Sequence, residues 1–323
     1  MKILVTGGAG YIGGAVAEHL LLRQHTVTVL DNLSKGSRRN VPSNSEFFQA
    51  DTGDEAALER IFGSGRFDAV MHFAGFIEAG ESMEKPEIYF GNNAAKTLVL
   101  LRAVVRHGVP HFVFSSTAAV YGEPKRIPIE EDDPLEPQNA YGESKLMVER
   151  MLAWFHRVHG LRYASLRYFN AAGATALHGE AHAPETHLIP LVLQAALGQR
   201  ESIAIYGTDY PTKDGTCIRD YIHIEDLVTA HVLALDYLAQ HGRLICNVGS
   251  ATGFSVREVI ETARKVTGME IPVVETSRRS GDPAVLVASC DTIKRVLGWT
   301  PRFSGIENIV RSAWQWHSSR LRC

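Results

Sequence analysis

The chain has 323 residues, 45% of them hydrophobic and 21% charged, and a formal net charge of −3. That length suggests two domains or one large one, with a core big enough to need no disulfide or metal staple, and the hydrophobic share excludes a disordered protein. The near-neutral charge leaves no footprint for nucleic acid or an anionic membrane.

Predicted elements then alternate along the chain. Residues 3–6 read as a buried strand, 13–22 as a helix and 26–30 as a strand. Asp54 can cap a helix over 55–62, followed by a strand over 67–73 and a helix over 93–107 that Gly108 ends. Further on come a strand over 111–115, a helix over 141–159 ended by Gly160, and a strand over 161–168. Continuously apolar strands separated by helical periodicity mean a parallel sheet covered on both faces. The fold class expected is therefore α/β, a Rossmann-type doubly wound sheet.

The pattern changes after Asn170. Residues 171–185 read as a loop, 189–197 as a helix, 202–206 as a short strand, and 224–239 and 256–267 as helices. The boundary falls near 173. Residues 1–173 would bind a dinucleotide, and 174–323 would form a smaller α/β substrate domain able to exchange segments with the first. Cys217, Cys246, Cys290 and Cys323 are scattered without a C-x-x-C pair, which is ordinary intracellular usage, and no metal site is expected. No run reaches the ~18 apolar residues of a membrane span. A strand starting at the second residue leaves no room for a signal peptide, so a cytoplasmic protein is expected.

Between the first strand and first helix stand Gly7, Gly10 and Gly13 in G-x-x-G-x-x-G spacing. Such glycines permit a tight turn and let a pyrophosphate approach the helix N-terminus, where N–H groups and the dipole favour anions. Asp31 ends the second strand, where an acid binds the adenosine ribose and repels a 2′-phosphate, so NAD is favoured over NADP. Asp51, Thr52, Phe73, Ala74 and Gly75 follow two further strands on the ligand side of the sheet. Tyr141 and Lys145 are four residues apart and share a helix face. A phenol with a pKa near ~10 is a poor base until a neighbouring ammonium favours its phenolate. Tyr141 is thus a general base or acid, Lys145 its electrostatic partner, and Thr117 at the end of the fifth strand the third member. His223 reads as structural, Arg278 as a surface ion pair and Glu130–Asp133 as a solvated loop.

The sequence resembles the extended short-chain dehydrogenase/reductases, and within them the UDP-glucose (UDP-galactose) 4-epimerase group. Residues 6–13, 31–34, 72–75, 80–82, Asn92-Asn93, 114–122 and 141–145 carry the likeness in the first half. Residues 167–170, 210–216, 219–223 and 278–282 carry it, more specifically, in the second. The resemblance implies tightly held NAD recycled in each turnover. It implies inversion at C4 of a UDP-hexose through a transient 4-keto sugar, with Tyr141 moving the proton of the 4-hydroxyl. It adds Tyr11, Ile12, Asn32, Asn93, Ser115 and Tyr168 to the cofactor contacts, beside Gly7, Gly10, Gly13, Asp31, Asp51, Thr52, Phe73, Ala74, Gly75, Tyr141 and Lys145. On the substrate it places Thr117, Asn170, His187, Leu188, Tyr206, Arg219, Arg279, Asp282 and Leu286. It also implies a homodimer through the helices that follow Asn93 and Tyr141.

Related dehydratases carry an Asp-Glu pair just after the hydroxyl residue. This chain has Ala118 and Ala119 there, which argues for epimerisation. Ile77 stands where many members place a Lys, which implies one cofactor contact fewer, and Ala171 replaces a frequent Pro. Leu286 is smaller than the Tyr that in some members excludes N-acetylated sugars. The competing readings are a 4-epimerase for a UDP-pentose or UDP-uronate, and a non-catalytic NAD(H)-sensing protein.

Overall fold

Runs of β-branched and aliphatic residues form the strands of a seven-stranded sheet in the computed structural model, which describes residues 1–279 and 282–320. The strands of the molecule are β1 (Lys2–Thr6), β2 (Thr26–Asp31), β3 (Glu46–Gln49), β4 (Ala69–His72), β5 (His111–Thr117), β6 (Arg162–Tyr168), β7 (Asn170–Ala172), β8 (Ile203–Tyr206), β9 (Ile218–His223), β10 (Arg243–Val248), β11 (Gly253–Ser255), β12 (Val273–Thr276) and β13 (Val285–Leu286). The large sheet runs β3-β2-β1-β4-β5-β6-β10. β1 lies parallel to both β2 and β4, with Val5 opposite Val29 and Met71. The strand order reverses between β1 and β4, and sheets of this kind bind ligands at the carboxyl ends of the strands beside such a reversal.

The helices are α1 (Tyr11–Leu22), α2 (Glu55–Gly63), α3 (Ala79–Glu84), α4 (Pro86–Tyr89), α5 (Lys96–Arg106), α6 (Ala140–His159), α7 (Leu188–Ala196), α8 (Ile224–Leu238), α9 (Val256–Thr267), α10 (Asp291–Leu297) and α11 (Ile306–Arg320). The helix expected from 93 starts later as an α-helix, because Phe90–Ala95 makes a wider π turn that leaves Asn93 only 2% exposed. Such turns gather at functional sites. Leu4, Leu30, Val70 and Phe112 of the sheet pack with Leu58 and Ile61 of α2, Leu100 and Val104 of α5, and Val148 and Leu152 of α6. Each fully buried side chain of this kind contributes roughly 1.5–3 kcal/mol.

Two compact units divide the chain. One holds Met1–Gly122, Pro134–Arg167 and Val228–Cys246, and the other holds Glu123–Asp133, Tyr168–Leu227 and Asn247 onward. Segments 123–133 and 228–246 thus cross the expected boundary near 173. The reason is β10, which joins the large sheet beside β6 and brings most of α8 with it.

In the second unit β9 is flanked by β11 and β13 and also pairs with β7. β7 opens a stretch that reads as loop in the sequence, with Asn170 opposite Tyr221. β9 is hidden from periodicity because Arg219 and Asp220 interrupt it. Asp220 is fully buried and accepts the N–H groups of Ser250, Ala251 and Ala288 at 2.7–3.1 Å. The acidic run is more than a solvated loop: Glu131 accepts the N–H of Asn247 at 2.8 Å and the hydroxyl of Thr292 at 2.9 Å. Ile189 and Leu193 of α7, Ile203 and Ile205 of β8, Val259 and Ile260 of α9 and Ile309 of α11 form this unit's core.

Cys217, Cys246 and Cys290 are buried and in no disulfide among the described residues, and Cys323 lies outside them. Among the described residues no helix is long and apolar enough to cross a membrane.

Candidate active site

The glycine turn separates two jobs that spacing alone merges. Gly7 has φ +73°, and a Cβ on it would stand 2.5 Å from the N of Ala74. A Cβ on Gly13 would stand 2.3 Å from the O of Gly7. These two glycines are required by the protein's own backbone, which joins the ends of β1 and β4. Gly10 differs, since a Cβ there would meet only the O of Gly7, at 3.2 Å. Gly10 is the N-cap of α1 and provides no side-chain cap, and no acid stands in the first turn. A helix end so prepared fits a pyrophosphate.

Asp31 fits the ribose. It is 9% exposed, and its two oxygens accept the N–H groups of Ala9 at 3.0 Å and Leu33 at 2.8 Å. Each oxygen keeps a further lone pair for a ribose hydroxyl. Burial raises its pKa, and the two N–H bonds pull it back. Asp51 is more heavily used: Oδ2 accepts from Asn32 at 2.9 Å and Lys96 at 2.7 Å, and Oδ1 accepts from the Gly53 N–H at 2.8 Å. Thr52 follows it, 9% exposed.

Beyond β4, Phe73, Ala74 and Gly75 lead to the proton-transfer groups. Asn93 accepts the N–H of Phe76 at 2.8 Å and donates to the Phe76 carbonyl and to Ser144, both at 3.0 Å. Lys145 is 3% exposed, and its Nζ donates to the Ser115 carbonyl at 2.9 Å. A Cβ on Gly75 would lie 3.2 Å from both that Nζ and Asn93 Oδ1, so Gly75, Asn93, Ser115 and Lys145 meet at one place. Desolvation lowers Lys145 to about 8.

Tyr141 stands in the first turn of α6, whose Asn139 N-cap accepts the Gly142 N–H at 2.8 Å. Burial raises the phenol's pKa, a hydrogen bond with Thr117 lowers it, and the Glu78 charge raises it again. The helix N-terminus itself favours the phenolate. Thr117 is 7% exposed and accepts the Ala119 N–H at 3.1 Å. Tyr141 and Thr117 are thus hydrogen-bonded, and Lys145 follows one turn along the same helix.

Three further residues lie in this unit: Glu78 and Glu149, which had no sequence signal, and Arg167, which the sequence marks only as part of the segment 167–170. Glu78 pairs with Lys35 at 2.8 Å and accepts the hydroxyl of Tyr89 at 3.3 Å. Glu149 and Arg167 form a buried pair at 2.6 Å, one turn-face along α6. Glu149 also accepts Ser116 Oγ at 2.5 Å, and Arg167 donates to Tyr121 at 2.9 Å. An ion pair joining α6 to β5 and β6 is invisible to spacing, because its members are far apart in sequence. His72, in the strand before Phe73, is bonded to Thr6 at 2.6 Å and Thr97 at 2.8 Å, and burial holds it neutral, down to about 3.

The second unit gathers its own predicted residues. Arg219 and Asp282 form an ion pair, and Arg279 lies over the Tyr206 ring at 3.8 Å. Leu286 is opposite Arg219 in the register of β13 on β9. Asn170 donates to the Asp220 carbonyl at 2.8 Å. Tyr168 and Leu188 are half-buried at the end of β6 and the start of α7. His187 contacts Glu180 at 3.0 Å and Glu185 at 2.9 Å; against burial, those carboxylates raise it to about 10. Arg278 pairs at the surface with the exposed Asp209, at 2.7 Å. His223 is bonded to Ser312 at 2.9 Å and to the Glu225 N–H at 3.1 Å, a satisfied structural histidine.

The family model for the NAD dependent epimerase/dehydratase family matches residues 3–249. The chain belongs to this family. Its sequence is 51% identical to a UDP-glucose 4-epimerase of Streptomyces lividans over 98% of this chain and 96% of that protein. Its structure is similar to a UDP-glucose 4-epimerase from Brucella ovis in complex with NAD, with a TM-score of 0.95 and 42% identity over 98% of each chain. It is also similar to one from Bifidobacterium longum in complex with NAD+ and UDP, with a TM-score of 0.94 and 37% identity over 99% of each. NAD is the cofactor of this family, and the open Gly10 helix end with Asp31 beside it suits that molecule.

Proposed function

We propose that this family member interconverts UDP-glucose and UDP-galactose by inverting C4. The observation that carries the reading is the Thr117–Tyr141 hydrogen bond, with Ala118 and Ala119, which offer no acid or base, directly after Thr117. Elimination across C5 and C6 would need such groups; inversion at C4 does not. The naming of full-length relatives supports the same substrate.

Bound NAD supplies a hydride acceptor that returns what it takes, so no net redox occurs. Gly7, Gly10, Tyr11, Ile12, Gly13, Asp31, Asn32, Asp51 and Thr52 would hold its adenosine diphosphate part, and Phe73, Ala74, Gly75, Asn93, Ser115, Lys145 and Tyr168 the remainder. Tyr141 Oη takes the proton of the sugar's 4-hydroxyl and later returns it to the oxygen of the 4-keto sugar. Thr117 Oγ1 holds that oxygen in line. Lys145, dry and fixed on the Ser115 carbonyl, keeps positive charge next to the phenolate.

In the second unit, Arg219 and Arg279 would take the diphosphate, Asp282 the uridine ribose, and Asn170, His187, Leu188 and Tyr206 the rest of the nucleotide. Leu286, half-buried on β13, leaves more room than a Tyr, and UDP-N-acetylgalactosamine should also be turned over.

Purified protein given UDP-galactose and no added NAD should release UDP-glucose. Absence of any 4-epimer, with NAD then added in excess, would overturn the proposal. Within the same reading the chain is a cytoplasmic homodimer. Support comes from Met147, Trp154 and Val158 of α6 and Leu98 of α5, large apolar side chains that are 40–64% exposed.

A further inference from the structure

The loop leading into α7 brings four metal-ligating side chains to one point. Glu180, His182, Glu185 and His187 offer donor atoms that all lie within 4.8 Å of one another. Their separations are 2.9 Å (His187–Glu185), 3.0 Å (His187–Glu180), 3.5 Å (His182–Glu180) and 3.8 Å (His182–Glu185). A tetrahedral zinc with bonds of about 2.0–2.2 Å needs donor separations of about 3.3–3.6 Å. The observed distances straddle that value.

Two further observations point to a cation. The Glu180 and Glu185 side chains are only 7% and 4% exposed, so two carboxylates are withdrawn from water side by side. Buried carboxylates require paired charge or a metal; here the imidazoles of His187 and His182 face them, and a metal ion would replace the imidazole protons. His182 Nδ1 is buried without a hydrogen-bond partner, although it faces both of them. A metal would satisfy all three at once.

We propose that Glu180, His182, Glu185 and His187 form a structural site for a divalent transition metal of the zinc class. Four protein ligands leave no open position, which is the arrangement of a structural site. Two imidazoles and two carboxylates suit zinc. The donors span eight residues immediately before Leu188, and His187 is the N-cap of α7 without a side-chain cap bond. The metal therefore clips the loop to the start of that helix. His187 is shared with the proposed nucleotide site, so the test changes His182 and Glu185 and reads retained metal rather than turnover.

The test uses full-length protein purified without a histidine tag, equilibrated with zinc, desalted and measured for bound metal. Wild type should retain about one zinc per chain, and chelation should lower its thermal midpoint. His182→Ala and Glu185→Gln should each reduce retained zinc by roughly tenfold or more. Cobalt-loaded wild type should show the intense visible bands of tetrahedral cobalt, a readout that needs no variant to fold. Wild type that retains no zinc overturns the proposal. So does zinc that stays at wild-type level in both variants, or cobalt that shows only the weak bands of an octahedral ion.

Discussion

The proton affinity of the Tyr141 hydroxyl is set by its surroundings. The Thr117 hydroxyl and the N-terminus of α6 favour the phenolate, while burial and Glu78 oppose it. Removing the hydroxyl by Tyr141→Phe should lower kcat by roughly 10²–10⁴-fold. Bound NAD should be unchanged, which extraction and absorbance would read; near wild-type turnover would contradict the role. Gly7→Ala should act differently. It places a Cβ 2.5 Å from the Ala74 N at φ +73°, and a misfit of this kind costs about 1–3 kcal/mol or more. Lowered thermal stability together with loss of NAD is expected, and a stable variant retaining the cofactor would contradict it. At this scale the sequence was highly legible. The i,i+4 pair and the glycine spacing are local, so both were readable, whereas Glu78 comes close only through tertiary folding.

Helix α6 places its first turn with two devices. Gly142 lets it lie on the turn after Thr117, because a Cβ there would meet the Ala119 O at 2.5 Å. Glu149 then locks the helix to Ser116 and Arg167. Gly142→Ala should push Tyr141 away from Thr117 and cut kcat about tenfold or more while helix content by circular dichroism stays the same. Unchanged kinetics would show that the close approach is dispensable. Glu149→Gln leaves Arg167 buried without its charge partner and should cost about 3–5 kcal/mol in denaturant unfolding. A double change of both residues to Met should recover part of that loss; if it is worse than the single change, the pair contributes net stability. The long helix was predictable from its period and from Gly160. β7, β9 and β13 were not, since they are short and, in β9, interrupted by charges that the fold satisfies internally.

For the molecule as a whole, the stripe of Met147, Trp154 and Val158 is the surface that the proposed dimer would cover. Trp154→Glu should convert the protein to monomer in sedimentation equilibrium; a wild type already monomeric at micromolar concentration would remove the proposal. Stability should also fall with acid. Burial holds His72 down to about 3, and His178 and His223 down to about 4, below the ordinary value of about 6.5. As pH falls below 6.5 the unfolded chain takes protons that the folded chain refuses, each such group costing up to ~1.4 kcal/mol per pH unit until its folded value is reached. The thermal midpoint should drop by several degrees between pH 7 and pH 5, and a flat profile would contradict this.

Sequence by itself determined the Rossmann-type sheet, the NAD-binding turn, the Tyr141–Lys145 pair and the family. Each rests on periodicity or on residues a few positions apart, which local geometry fixes. Only the tertiary structure decided which glycines serve the backbone and which leaves room for an anion. Folding alone also moved residues 228–246 into the first unit. Its other decisions were to pair Glu149 with Arg167 and to turn a stretch read as plain loop into a ring of four donors. Those outcomes depend on which distant side chains share a desolvated space, and no spacing along the chain encodes that.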